Sequence, residues 1–323
     1  MRDARHLSLR STLTFRPRVS TICTSLFPAE GCRSSPEVVR SHNNMNSHQP
    51  FWQQIHGTAV INLDHRQDRW QAISAQLRQL PGQPEFLRVA ASLGTTLPGF
   101  GVRPWFRGRQ TDMRWAARAG CVASHRRVMR QAREAAWDTL LVLEDDCDLV
   151  PLLSCDLEAL HRLLFVEHPE WDVCYLGHNN EIATPVQHVA DWGGAGELLR
   201  VRGCATTHAY LVRRTARDWI LAQLPAEDAL WSWLSRNRAV DRWYSRRLSE
   251  HFKVFALSPA LLLQQAGYSD ISHDLVDWKS LERKAIVPVT SGFPRKLRMA
   301  HWCARLDTAA DVFRGWWKQL RGF

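Results

Sequence analysis

The stretch Asp138–Val150, DTLLVLEDDCDLV, closes an unbroken apolar run, Leu140–Leu143, with three successive carboxylates, Glu144, Asp145 and Asp146. A fourth, Asp148, follows after one cysteine. Neighbouring carboxylates repel and raise one another's pKa, so the cluster costs free energy unless a cation offsets it. Hard oxygen donors of this kind suit Mg2+ or Mn2+. The alternative is a solvated acidic turn that caps the next helix. On the cluster alone both readings stand.

The elements around the cluster can be read from periodicity. TAVINL (58–63) has the run of a buried strand, and the basic turn DHRQDR leads into a helix, WQAISAQLRQL. FLRVAAS (86–92) reads as a second strand. Residues 94–118, rich in Gly, Pro and Arg, read as a long loop, which in a folded domain is usually functional or mobile. GCVASHRRVMRQAREAAW then reads as a helix and TLLVLED as the strand that ends in the acids. DLEALHRLLFVEH, capped by Asp156, is a predicted helix and WDVCYLG a strand. ELLRVRG, THAYLV and KVFALS are further strands, and RTARDWILAQL and VDRWYSRRLSEH further helices. Strands alternating with helices predict an α/β fold, a mostly parallel sheet with helices on both faces. In such sheets ligands bind beyond the carboxyl ends of the strands, where the acids stand.

The +10 net charge is localised. Residues 1–44 carry seven Arg against three acids, and residues 283–323 nine Lys or Arg against two Asp, so residues 45–282 sum to −1. A neutral body argues against a nucleic-acid groove, and basic ends favour contact with an acidic surface. Residues 1–44 show neither helical nor strand period, and we expect a disordered leader or upstream sequence with a working start at Met45. The domain organisation expected is thus 1–44, a catalytic domain over 45–282, and a basic aromatic tail over 283–323. None of the eight cysteines forms a C-x-x-C pair. That disfavours a zinc site and predicts reduced, buried thiols in a cytoplasmic protein.

AVINLDHRQDRW, FLRVAAS, GCVASHRRVMRQA and LVLEDD, in that order, resemble glycosyltransferase family 25, as do TTHAYLV, VDRW and QQAGYSDI downstream. The resemblance covers about residues 56–272. Two departures stand out. AASLG replaces the expected AVDG after the second strand, and EDDCD leaves the metal register ambiguous between Asp146-x-Asp148 and the pair Asp145 and Asp146. We favour Asp145 with Asp146, and Asp148 as third ligand.

The resemblance implies a GT-A-like nucleotide-sugar-binding fold and inverting transfer of galactose or glucose from a UDP-hexose, with Mn2+ or Mg2+ as cofactor. Asn62 would contact the base or ribose, Arg69 the phosphates, and Ser124, His125 and Glu144 the donor. The alternatives are a turn-stabilising Asn, a solvated Arg and a structural His. Inversion is a single displacement and needs a base for the acceptor hydroxyl. Asp241, opening a predicted helix, is the first candidate and Asp270 the rival. A helix cap and a turn acid are their ordinary readings. His208 is either a core residue or a further metal ligand.

Two other functions compete: a metal-dependent phosphohydrolase, and a non-catalytic interaction protein on a transferase fold. The acceptor expected is a saccharide, with a lipid-linked one at the inner membrane face as the class that fits the basic tail. On a helix, Leu306, Ala309, Ala310, Phe313, Trp317 and Leu320 share one face, with Arg314, Lys318 and Arg321 to one side and Trp316 near the boundary. Such a helix either lies peripherally on an anionic membrane or packs that face on the body.

Overall fold

The computed structural model describes residues 38–39, 50–179, 182–194, 196–269, 274–276 and 288–323. Two residues of strand β1 (Val38–Val39) and a short helix α1 (Pro50–Gln53) precede β2 (Gly57–Asn62), all of whose residues are buried. A six-residue run buried on both sides is what a central strand under two layers of helix requires. Helix α2 (Gln67–Gln79) buries Ile73 and Leu77, and β3 (Phe86–Ala90) returns parallel to β2.

Helix α3 spans Thr111–Glu134. The loop expected over 94–118 therefore ends eight residues early. Trp115, Ala116 and Ala119 already lie on the buried face of α3, and their three- and four-residue spacing continues through Val122 and Ala123. The flanking Arg residues had masked that period.

The acid-bearing strand β4 (Thr139–Glu144) is followed by the short β5 (Cys147–Asp148), α4 (Val150–Leu153) and α5 (Leu157–His161), which continues as a π-turn over Arg162–Glu167. Asp156 caps α5, accepting from the backbone N–H groups of Glu158 and Ala159 at 3.1 and 3.0 Å. Then follow β6 (Val173–Gly177), β7 (Ile182–Ala183), β8 (Gln187–Trp192), β9 (Gly196–Arg200), β10 (Gly203–Cys204) and β11 (Ala209–Arg213). Helices α6 (Arg214–Gln223), α7 (Leu230–Asn237) and α8 (Val240–Arg247) lead to β12 (Val254–Ser258). The chain ends with β13 (Leu263–Gln264), β14 (Gly267–Ser269), β15 (Asp274–Val276) and the long helix α9 (Phe293–Arg321).

Nine strands form one mixed sheet in the order β1-β3-β2-β4-β11-β6-β12-β9-β8. β2, β3, β4, β6, β8 and β12 run one way, and β1, β9 and β11 run against them. Helices cover both faces. Leu140, Val142, Tyr210 and Val212 point into a core shared with α3, α6, α7 and α8, whereas Leu141, Leu143, Ala209 and Leu211 point into one shared with α1, α2 and α5. The alternation is the two-residue period of a strand, satisfied on both faces. The fold is thus α/β, with a large mixed sheet between helical layers.

Pro36–Phe323 is one compact unit, so the tail belongs with the body. Its helix, however, packs the opposite way from the packed alternative expected of it. Phe293, Leu297, Ala304, Asp311 and Gly315 are buried, while Trp302, Leu306, Phe313, Trp316, Trp317 and Leu320 are exposed. Asp311 draws the polar side inward by pairing with Arg246, and Gly315 lets α9 approach α7, where a β-carbon would meet Ser235 Oγ at 2.9 Å. The cysteines among the described residues are free: Cys147, Cys174 and Cys204 are buried, Cys121 and Cys155 partly so, and Cys303 is exposed. Among the described residues no helix is long and apolar enough to cross a membrane.

Candidate functional site

The parallel strands β2, β3 and β4 deliver their carboxyl ends to one edge, and a cavity of about 370 Å³ opens there. Ile61 and Leu63 come from the end of β2, Ala91 and Ser92 from that of β3, and Glu144, Asp145 and Asp146 from that of β4. Helix α3 contributes Arg118, Cys121, Ser124 and His125, and the start of α8 contributes Asp241. Residues as distant in the chain as Ile61 and Asp241 thus meet because the sheet edge gathers them.

The acids are held individually. Asp145 is buried and accepts from Asn62 Nδ2 at 2.7 Å and from Arg69 Nη1 at 3.1 Å. Asp146 faces the same Arg69 nitrogen at 3.3 Å and Gln264 Nε2 at 3.4 Å. Burial, then the charges of Glu144 and Asp145, push Asp146 up to about 7, against the pull of Arg69 and Gln264. Burial also raises Asp145, although Asn62 and Arg69 oppose it.

Glu144 goes the other way. Burial alone would raise it, but the hydrogen bond and charge of His125, with His208 and Thr207, hold it below the ordinary carboxylate value. Thr207 donates to Glu144 Oε1 at 2.9 Å. His125 Nε2 lies 3.2 Å from Thr207 Oγ1 and 3.3 Å from Glu144 Oε1, and its Nδ1 lies 2.9 Å from the Tyr210 hydroxyl. A proton on Nε2 serves both Thr207 and Glu144.

The G-C-x-x-S-H sequence acquires a physical meaning here. A β-carbon on Gly120 would overlap the carbonyl oxygen of Ser92, so only glycine lets α3 meet the loop after β3. Gly94 approaches the Ala116 carbonyl oxygen even more closely. Ser124 donates to the Gly120 carbonyl at 2.7 Å and accepts from the Ser92 N–H at 2.9 Å. Its hydroxyl is consumed in fixing that contact, so its role is positional. Cys121 faces the cavity, but burial keeps its thiol well above the ordinary range and therefore protonated, which makes it a poor nucleophile.

The other expected residues divide. Asn62 is fully buried and does not line the cavity. Besides Asp145 it donates to the Arg66 carbonyl and accepts from Arg88 Nε at 2.9 Å. It orients a carboxylate where nucleotide contact had been expected. Asp148 also lies outside the cavity lining. Its carboxylate accepts from the Val150 N–H at 3.3 Å, and β5 pairs it with Leu263 of β13. Both ring nitrogens of His208 are engaged, with Thr206 Oγ1 at 2.9 Å and the Leu262 carbonyl at 3.1 Å, so it is a core residue. Asp241 lies second in α8, past the cap position, and accepts from the Arg242 N–H at 2.6 Å and the Thr206 N–H at 3.4 Å. Asp270 lies outside the described residues.

Asp145, Asp146 and Asp148 do not form the three-donor cluster expected. Among the described residues, the trio at this site whose donor atoms lie within 4.8 Å of one another is Cys121, His125 and Glu144. The His125 nitrogens of that trio already have partners, so it reads as a hydrogen-bond relay. For a hard cation the fitting donors are the carboxylates of Asp145 and Asp146, whose crowding a divalent charge would relieve.

Arg118, Thr207, Tyr210 and Gln264 were not singled out from the sequence. Arg118 fell within the supposed loop; Thr207, Tyr210 and Gln264 lie in quoted segments, but only contact across strands reveals their roles. A larger open depression of about 540 Å³, lined by Arg126, Arg130, Arg133 and Arg236, holds no carboxylate and cannot supply acid–base chemistry.

No family model matches the sequence. No curated protein matches it. Among solved structures it is similar to A197 from STIV, with 11% identity and a TM-score of 0.32, over 73% of this chain and 98% of that one.

Proposed function

We propose that the protein is a GT-A-like glycosyltransferase that transfers a hexose from a UDP-sugar to a saccharide acceptor with inversion. The observation that carries this reading is the placement of Asp145 and Asp146 at the carboxyl edge of parallel strands, beside Arg69 and in one cavity with Asp241. The motif order AVINL, GCVASH, LEDD supports it. Asp145 and Asp146 would hold Mn2+ or Mg2+. Bound there, the ion would neutralise charge developing on a departing diphosphate.

The chain's own residues have separable tasks. Asn62 locks the Asp145 carboxylate. Arg69 bridges both aspartates and can turn one donor to a phosphate oxygen. Arg118, whose pKa burial and then Arg238 lower, gives the cavity wall a second cation for phosphate. Thr207 and His125 keep Glu144 ionised and oriented. Asp241 accepts the proton of the attacking acceptor hydroxyl. The acceptor oxygen bonds to the anomeric carbon of the hexose in the same step in which that carbon's bond to UDP breaks, and UDP leaves.

The test is calorimetric titration with a panel of nucleotide sugars, with and without Mn2+, together with chromatographic detection of released UDP. Mn2+-dependent binding of a UDP-hexose with slow hydrolysis is expected. A folded protein that binds no nucleotide sugar, or that cleaves simple phosphate esters instead, would refute the reading.

A further inference from the structure

We propose that the outward face of α9 docks flat on an anionic lipid surface. On a helix of 29 residues, about 43 Å long, the buried positions Phe293, Leu297, Ala304, Asp311 and Gly315 fall on one narrow arc. Met299, Trp302, Leu306, Phe313, Trp317 and Leu320 fall on an arc about 180° away at about 100° per residue. Trp302 is 64% exposed and Phe313 66%. An apolar stripe on the far side of a packed helix has nothing to do with the core. Patches of that length on a protein surface mark a contact.

Charge identifies the contact. Arg298 and Arg305 run along one border of the stripe, and Lys296, Arg314 and Arg321 along the other; Arg305 also pairs with Glu250 at 3.5 Å and Arg314 with Asp311 at 2.6 Å, while both side chains stay about half exposed or more. The two acids of the helix are both drawn towards α8: Asp307 pairs with Arg246 at 3.7 Å, and Asp311 is buried against the same arginine. From Met299 onward the outward arc is therefore apolar in the middle and basic on both sides, with Asp307 just beyond its border and Arg295 adding a cation at its start. A second copy seated face to face would bring basic rows together. An anionic bilayer would instead receive the apolar stripe among its acyl chains, with Trp at headgroup depth and the arginines at the lipid phosphates.

The anchorage is rigid enough to transmit orientation. The inward face is fixed by Asp311 on α8 and by Gly315 on α7. At the far end Phe323 stacks on Trp115 of α3, 4.4 Å between ring centroids, and Lys318 Nζ lies 3.6 Å above the same ring. Helices α3 and α8 also carry Arg118 and Asp241 of the cavity. Docking would thus fix the cavity relative to the lipid plane. The inference stands on α9 alone and holds whatever the cavity catalyses.

The test is sedimentation of the full chain with phosphatidylcholine vesicles, with and without about one-third phosphatidylglycerol, across a salt series. Each basic side chain near such a surface strengthens binding by roughly fivefold, so anionic vesicles should bind at least about tenfold tighter than neutral ones, and salt should weaken the binding. The triple variant Trp302→Asp, Phe313→Asp, Trp317→Asp, altered only at exposed positions, should lose binding with its melting temperature unchanged. No vesicle binding by the full chain at low salt would overturn the proposal, as would equal binding by the variant. Concentration-dependent dimers abolished by the same variant, without vesicle binding, would assign the face to a second copy and overturn it as well.

Discussion

Replacing Asp146 by Asn should make the protein more stable above neutral pH while removing the proposed transfer activity. The carboxylate of Asp146 is crowded by Glu144 and Asp145 and largely removed from water, so its folded-state pKa stands at about 7 against an ordinary 3.8. The folded chain therefore holds a proton there that the unfolded chain releases. Stability from this site is fully present below about pH 4 and falls as pH rises through about 7. At about 1.4 kcal/mol per pKa unit, the difference corresponds to about 4 kcal/mol. Relaxation around a charge shared with Glu144 reduces the expected gain to about 2–4 kcal/mol.

An amide fits the site. Gln264 Oε1 is buried without a partner. If the Gln264 amide flips, that oxygen can accept from the introduced amide nitrogen, while the introduced amide oxygen still faces Arg69. Urea unfolding of both proteins in chelator, from about pH 4 to about pH 8, measures the effect. The two should coincide at the acid end and diverge towards the alkaline end, where the variant is the more stable. Added Mn2+ should stabilise only the wild type, by binding the folded state. Equal stabilities at the alkaline end, or a gap independent of pH, would refute the argument that this carboxylate is held against its own electrostatics for a cation.

Three further outcomes follow from the geometry. Asp241→Asn should lower turnover by about 10²–10⁴ while UDP-sugar affinity stays near wild type, read by steady-state rates beside calorimetry; lost donor affinity would move Asp241 to the donor side. Gly120→Ala should cost about 1–3 kcal/mol in urea unfolding, because its methyl meets the backbone oxygen of Ser92; an unchanged midpoint would show that α3 can shift at no cost. Thr207→Val removes the hydroxyl that donates to Glu144, so the Glu144 pKa should rise and the acid limb of the pH–rate profile should move to higher pH; an unmoved limb would assign that limb to another group.

Much of the sheet could be read from local pattern because its strands are unusually one-sided in composition. Leu140–Leu143 and Val173–Gly177 are buried throughout, and a continuous apolar run identifies a central strand without knowledge of its neighbours. The reversal of β11 between β4 and β6 could not be read so, since a buried strand looks the same whichever way it points. The first turns of α3 were hidden by Arg114 and Arg118, which border a face that is nonetheless apolar. At the site, type and order pointed to Arg69, Glu144, Asp145, Asp146 and Asp241. Neither reveals that Asn62 is buried behind the cavity or that Asp148, paired with Leu263 across β5 and β13, lies outside its lining. Those are consequences of side-chain direction and register, which one residue of slip would reverse.

Helix α9 shows the same limit from another side. Its apolar stripe is plain in the sequence, and burial in the core is the ordinary fate of such a stripe. What reverses it is a competition among residues on the opposite arc. Asp311 finds Arg246 and Arg242 of α8 and Arg314 of its own helix, and removing such a group from its partners would strand partly buried charges. Ala304 and Gly315, with almost no side chain, allow the close approach that those short ion pairs need. The hydrophobic effect would favour turning the aromatic side inward, but that would place bulky rings where Gly315 meets Ser235 and Arg236 of α7, and leave Arg246 of α8 without Asp311. The helix therefore turns inward a narrow arc of Phe293, Leu297, Ala304 and Gly315 around one paired aspartate, and leaves its aromatic arc for the second apolar phase proposed above, an anionic bilayer that suits the cations beside the stripe.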